Sequence, residues 1–499
     1  MGRGLWGVLL RLSRWWSTNI KTSCGRCSFF NSFFLGILLI PPGFIACLVA
    51  ITAIGSLGDA QASQETTQTT LREAERALDK RQYDVVLRLV EPMTGENSGD
   101  PAFRRLKIKA LLHSSRPVEA LSEYGRLQSN LGRDDEPVLR EIAMGFIVPT
   151  LKDMREQVRG AGYTALKELE SDETVHYFED GLTDGSGLVR TLAAEGLGRL
   201  KKGRESPRLR QALEDQAAMV RVAALRGLGR SEDRAAAGVI EKLLKDEQPT
   251  VRVAAMGALA RLGREEALKQ LREAAKASNP DERGAAFRML GDLGDHGATT
   301  ILEQGLSDAQ PSIRGAAAAA LSELEGAHAK AIEPLLADPV PAVRAAAAVS
   351  LGELQAKQSA PALKRSLTDS NPAVRAAAVD GLLDMGSEYE IISPTVRELA
   401  HSTDPGIRAA AAKAIAKSRS SAAHDALGDL RVLLTDPLPR PRIAAARALG
   451  HLRDVDRGEL IPTLKRSLTD QDEAVRATGA GALGRVLSGH VSRSPSKRR

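Results

Sequence analysis

Asp338 to Leu354 reads DPVPAVRAAAAVSLGEL, with one arginine, Arg344, set in a run of alanines. Such an arginine could grip an anion, take part in catalysis, or hold a fold together. Counting outward decides between these readings. The same context returns at Arg159, Arg190, Arg221, Arg252, Arg283, Arg314, Arg375, Arg408, Arg442 and Arg476, at intervals of 30 to 34 residues. A near-constant period of this size is the signature of a stacked repeat array. Catalysis needs one site, whereas a residue present in every repeat serves the scaffold.

The neighbouring columns say what each position does. Six before the arginine stand Asp153, Asp184, Asp215, Asp246, Asp308, Asp338, Asp369, Asp436 and Asp470, with Ala277 and Ser402 as the departures. Just before it stands Val or Ile, except at Glu282 and Pro441. Three after it stands Ala or Gly, and seven after it Leu or, once, Ile415. Positions 0, +3 and +7 share one face of a helix, so a small residue followed by a branched apolar one predicts close packing against a neighbour. Glycines such as Gly198, Gly229, Gly291, Gly352, Gly450 and Gly484 stand where the helix is expected to end. Pro339, Pro341, Asn371 and Pro372 suit the turn and first turn of that helix. Each unit therefore reads as helix A, tight turn, helix B. One such pair cannot bury its apolar faces alone, but stacked pairs can.

The motif D-x-x-x-x-V-R-x-x-A-x-x-x-L-G, clean from Asp338 to Gly352 and from Asp215 to Gly229, resembles HEAT repeats, in particular the short-period branch named for phycobilisome-lyase (PBS-lyase) repeats. The resemblance covers about residues 148–488. It implies an all-α, right-handed α-solenoid of about eleven helix-turn-helix repeats. It also implies that the turn aspartates and the arginines are structural, bonding within or between neighbouring repeats. Asp338 is the expected partner of Arg344. Arg283 is expected to lack a partner, and Asp404 is displaced by two near Arg408.

Residues 63–147 read as a separate helical module. Tyr83, Val86 and Leu87 align with Pro117, Ala120 and Leu121 at an offset of 34 residues. That offset resembles the tetratricopeptide (TPR) period, and a generic pair of helical hairpins fits it equally.

The first 62 residues have a different character. Phe33 to Leu57 is uncharged and mostly apolar, five positive charges precede it, and Ala60-Gln61-Ala62 follows. This is the layout of an export signal, cleaved after Ala62 or kept as an anchor that inserts in the membrane. Either outcome predicts an exported chain, in the periplasm or anchored at the inner membrane facing it. All three cysteines (Cys24, Cys27 and Cys47) lie here, so the body can hold no disulfide framework. The net charge of +6 comes from this segment and from the basic tail 489–499, leaving the body slightly acidic.

Functional classes narrow accordingly. Deoxyhypusine hydroxylase, a HEAT-type enzyme, binds iron through adjacent His-Glu pairs, and none of the eight histidines here is followed by glutamate. No nucleophile elbow, phosphate-binding glycine loop or H-E-x-x-H motif occurs. Position +5 of helix B (Thr164, Glu195, Arg226, Gly257, Arg288, Ala319, Val349, Asp380, Lys413, Arg447, Gly481) carries no uniform basic stripe and no aromatic residue, which argues against nucleic acid. No catalytic residue, metal, cofactor or small-molecule ligand is expected. The expectation is a non-enzymatic scaffold or adaptor binding partner proteins. The alternatives are a lyase-like or enzyme-maturation protein acting on a tetrapyrrole or protein side chain, and a nucleic-acid-associated binder.

Overall fold

A computed structural model describes residues 64–95, 100–231, 236–324, 326, 328–419 and 421–489. The expected export segment, Ala60 and Ala62 included, and the tail from residue 490 lie outside the described residues. The chain divides into two compact units, residues 1–76 and 77–499. In the first, residues 64–76 are helical. Among the described residues there is no strand, and no helix is long and apolar enough to cross a membrane.

The second unit opens with helices Tyr83–Val90, Pro101–His113, Pro117–Leu131 and Glu136–Ile147. The 34-residue offset is visible in the backbone. Arg81 and Ser115, 34 apart, both take positive φ (57° and 58°). The following residues, Gln82 and Arg116, both donate back across the turn, to Ala77 O and Leu111 O at 2.9 Å. Val86 and Ala120 are both fully buried. Helix Glu136–Ile147 also serves the repeats, as the outer helix of repeat 1. The compact unit thus runs across residue 147.

Eleven B helices follow: Glu156–Leu169, Gly187–Arg199, Ala218–Gly229, Pro249–Arg261, Pro280–Leu293, Pro311–Glu323, Pro341–Glu353, Pro372–Asp384, Pro405–Ala414, Pro439–Leu449 and Glu473–Ser488. Seven start on proline, whose fixed φ and missing N–H suit the first helical position. The +3 and +7 residues, such as Ala347 and Leu351, are fully buried against the outer A helix of the same repeat. The +8 glycines stand near helix ends, Gly229 as the last helical residue and Gly450 as a C-cap, with Gly484 four residues inside its helix, and they have a second role. They let adjacent B helices touch: a Cβ on Gly198 would lie 2.7 Å from Gly227 Cα, and one on Gly291 would lie 2.7 Å from Ala320 Cα.

Each B helix packs on the next, and the B helix of repeat 11 packs on that of repeat 1. The repeats of this unit therefore close on themselves. The seam continues the small-residue packing: a Cβ on Gly481 would lie 2.8 Å from Ala165 Cα. Polar contacts reinforce it. Arg485 meets Glu168 at 3.0 Å, Arg457 meets Glu136 at 3.0 Å, and Arg140 donates to Leu487 O at 2.7 Å. Arg155 grips Asp153 at 2.9 Å and reaches Glu473 across the seam. Eleven helices at about 8–10 Å spacing enclose a backbone-to-backbone opening of about 25–30 Å.

Candidate functional site

The arginine and aspartate columns form a ladder with a one-repeat offset. Arg344 clasps the carboxylate of Asp369 in the next repeat, at 2.8 and 2.9 Å. It donates its remaining end to the backbone oxygen of Asp338 in its own turn, at 2.9 Å. The Asp338 carboxylate belongs to Arg314, at 2.7 Å. Asp338 is therefore not the ion partner of Arg344, because its Oδ1 also caps its own turn through Val340 N at 2.8 Å. That bond turns the carboxylate back toward the preceding repeat. The same rungs join Arg159 to Asp184, Arg190 to Asp215, Arg221 to Asp246, Arg283 to Asp308, Arg408 to Asp436 and Arg442 to Asp470.

The departures follow from that offset. Arg283 has a partner, Asp308. The arginine facing Ala277 is Arg252, which takes Glu282 at 3.0 Å instead. Likewise Arg408 is paired, and it is Arg375, facing Ser402, that turns to Glu398 at 3.0 Å. Arg476 ends the ladder on carbonyls, Asp470 O at 2.7 Å and Gln471 O at 3.2 Å, while Arg155 holds Asp153. Glu282 thus acts as a transplanted rung. Glu282→Val should cost about 1.5–3 kcal/mol, the range for a charged hydrogen bond. Adding Ala277→Asp should restore the midpoint in urea unfolding; a double variant no better than the single one would refute the substitution.

Asp338, Asp369 and Asp436 are held below the usual carboxylate range, chiefly by the guanidinium bonds of Arg314, Arg344 and Arg408. Their folded pKa is depressed, so this stability is present above the unfolded value and is lost as pH falls through the folded one.

With the arginines committed to the ladder, the face left free on the B helices is the one opposite helix A, except in repeat 11, where Gly481 and Arg485 pack into the seam. Positions +5 and +9 lie there, at about 100° of rotation per residue, between the +6 and +8 flanks that touch neighbouring B helices. They form the inner wall, which is sorted by sign. Repeats 2 to 5 present Arg199, Arg226, Arg230, Arg261 and Arg288, with one acid among them in repeat 2, Glu195, held by Lys167. Repeats 5 to 8 present Asp292, Glu323, Glu353, Asp380 and Asp384. Repeats 9 to 11 return to Lys413, Lys417, Arg447 and Arg485.

The concave wall makes these charges felt. Burial, and then Arg261 beside it, lowers the Arg230 pKa, with Arg199 and Arg226 adding to the effect. Arg288 is lowered by burial and by Arg226. Glu323 is raised by burial and by Glu353 and Asp292. Asp380 is raised to about 6 by burial, with Lys417 opposing and Asp384 adding to the rise. Lys417 bridges both aspartates, at 3.2 and 2.8 Å. At the seam, burial works against Glu168, yet His451 and Arg485 bring it down to about 2. Asp380 should therefore titrate near pH 6 in carboxyl carbon NMR while Asp369 titrates below the ordinary range. A raised acid costs stability once ionised, so Asp380 alone makes the fold less stable as pH rises from 4 to 6. Coincident midpoints for the two would contradict the concave burial.

Among the described residues no group of three or more His, Cys, Asp or Glu is placed to hold a metal. His401 bonds Arg397 O at 2.7 Å and His451 meets Glu168 at 3.3 Å. The +5 column alone hid the sorting of the inner wall; the +9 column, one turn on, reveals it.

Comparison with known proteins bears on the repeats. The family model described as HEAT repeats matches residues 206–286, 271–337, 329–393 and 429–495. Human deoxyhypusine hydroxylase in complex with glycerol is 24% identical, covering 52% of this chain and 100% of that one, with a TM-score of 0.30. The complex of CpcE and CpcF of phycocyanin lyase from Nostoc sp. PCC7120 is 21% identical over 52% of this chain and 92% of that one, with a TM-score of 0.31. An engineered protein is 18% identical over 69% of this chain and 98% of that one, with a TM-score of 0.25. The comparison with curated proteins found no match.

Proposed function

The chain belongs to the HEAT-repeat family, and from that premise we propose that it is an exported, non-enzymatic adaptor that binds a partner protein on the inner wall of its closed repeats. The chain is a helical-repeat scaffold, and repeat stacking leaves an extended concave surface suited to protein partners. The observation that carries the reading is the closure. It gives a continuous inner wall, while the repeat arginines are spent on backbone carbonyls and on the turn aspartates of the next repeat. The export part rests on the apolar segment Phe33 to Leu57 with its positive flank.

Two measurements on the tagged full-length chain test this. Fractionation should recover it outside the cytoplasm; purely cytosolic recovery of the full-length chain overturns export. A photocrosslinking residue at Ala319, on the inner wall, should trap a discrete partner species, and one at Gln358, on the outer surface, should not. Crosslinking from Gln358 alone would overturn the inner-wall reading.

A further inference from the structure

The basic sector is unlike the rest of the molecule. Repeat arginines are matched to acids, and Arg155, Arg261, Arg272 and Arg485 also have carboxylate partners. Arg199, Arg226, Arg230 and Arg288 have none among the described residues, although they crowd one concave arc on the B helices of repeats 2, 3 and 5, with the paired Arg261 of repeat 4 between them. The acids nearby are engaged or remote. Asp292 is held by Arg261 at 2.6 Å and Glu195 by Lys167 at 2.6 Å, and Asp281 acts on Arg288 without a close contact. Four like charges on a partly desolvated wall repel one another, and an anion from outside would relieve that repulsion. Guanidinium forks match carboxylate and phosphate alike.

The neighbouring sector decides between those two. Asp292, Glu323, Glu353 and Asp380 continue the same wall, and a phosphodiester chain running off the basic arc would meet them. No Phe, Tyr or Trp occupies +5 or +9, so bases would find no stacking platform. A polypeptide can place its carboxylates on one arc and stop, or turn cationic where the wall turns acidic.

We infer that the arc formed by Arg199, Arg226, Arg230 and Arg288 is a docking site for a carboxylate-rich polypeptide segment of the partner. This rests on the adaptor reading and names the chemistry of its ligand. Four B helices span about 27 Å, which about eight extended residues cover.

The test uses the full chain and three fluorescent probes: an octaglutamate peptide, a peptide of equal length alternating Glu and Lys, and a single-stranded oligonucleotide of equal charge. Octaglutamate should bind in a salt-weakened manner, about tenfold tighter than either other probe, as steering by matched charge predicts. Arg226→Gln with Arg288→Gln should weaken it about tenfold at unchanged melting temperature, because neither guanidinium has a carboxylate partner to lose. Arg365→Gln, in the outer groove between repeats 7 and 8, should change nothing. Equal or tighter binding of the oligonucleotide, no preference over the alternating peptide, or indifference to the double variant would each overturn the inference. A crosslinked partner at Ala319 that is unaffected by the double variant would leave the adaptor reading standing and overturn only this one.

Discussion

Gly481→Val should open the repeats at their seam. A Cβ at that position would lie 2.8 Å from Ala165 Cα, a backbone atom that cannot swing aside. Helix B of repeat 11 must then leave helix B of repeat 1, and the contacts of Arg485, Arg457, Arg140 and Arg155 across the seam go with it. Overpacking of this kind costs about 3 kcal/mol. The more diagnostic effect is on cooperativity. A closed array has no end, whereas an opened one has two, and terminal repeats fray first. Amide exchange in repeats 1 and 11 should therefore rise about tenfold or more while repeats 5 to 7 change little. The body is free of cysteine, so with Cys24, Cys27 and Cys47 replaced by serine, spin labels at Met154 and Gln471 report the seam directly. Their distance distribution should be short and narrow in the parent and long and broad in Gly481→Val. Gly198→Val is the matched control, because its Cβ would crowd Gly227 at an interior junction. It should destabilise comparably while the seam stays shut. A seam distance unchanged by Gly481→Val would mean that the closure is not held by this contact.

Much of the fold is written in columns that a reader of the sequence can count. The period, the two-helix unit and the buried +3 and +7 positions follow from Ala347 and Leu351 and their equivalents, since local spacing fixes which residues share a helix face. Three features were not legible. The first is the direction of each rung: Asp338 and Arg344 share a turn, but the cap from Val340 N turns the carboxylate toward Arg314. Proximity in sequence was misleading because the bond is made between repeats. The second is the role of the +8 glycines. A glycine near a helix end suggests a stop, and only the Gly198–Gly227 contact reveals a close approach between helices. The third is closure, which depends on a small rotation accumulated over eleven junctions. No single residue encodes that rotation, and the seam pairs are more than 300 residues apart in sequence. The inner wall lay in between. Its residues were readable, but the sorting by sign emerges only when +5 and +9 are taken together around the closed array.

Arg442→Ala should be the most costly single change in the ladder. Its side chain is 6% exposed and that of Asp470 13%. The guanidinium makes two bonds to Asp470, at 2.8 and 2.9 Å, and a third to Asp436 O at 2.8 Å. Truncation strands a buried carboxylate and a turn carbonyl, which by the measure of broken buried pairs costs about 3–5 kcal/mol. Lysine should not rescue it, because a point charge cannot span both carboxylate oxygens and the carbonyl. Arg442→Ala with Asp470→Ala should cost less than the sum of the two, since removing both partners leaves no orphaned charge. The informative comparison is Arg476→Ala at the end of the ladder. Arg476 reaches only carbonyls and lies 3.6 Å from Glu473, so its loss should cost about 1 kcal/mol. Both arginines occupy the same column of the repeat. If the column mattered through helix propensity or turn geometry alone, the two truncations would cost the same in urea unfolding. A gap of about 2 kcal/mol or more would assign the difference to the inter-repeat carboxylate that Arg442 has and Arg476 lacks.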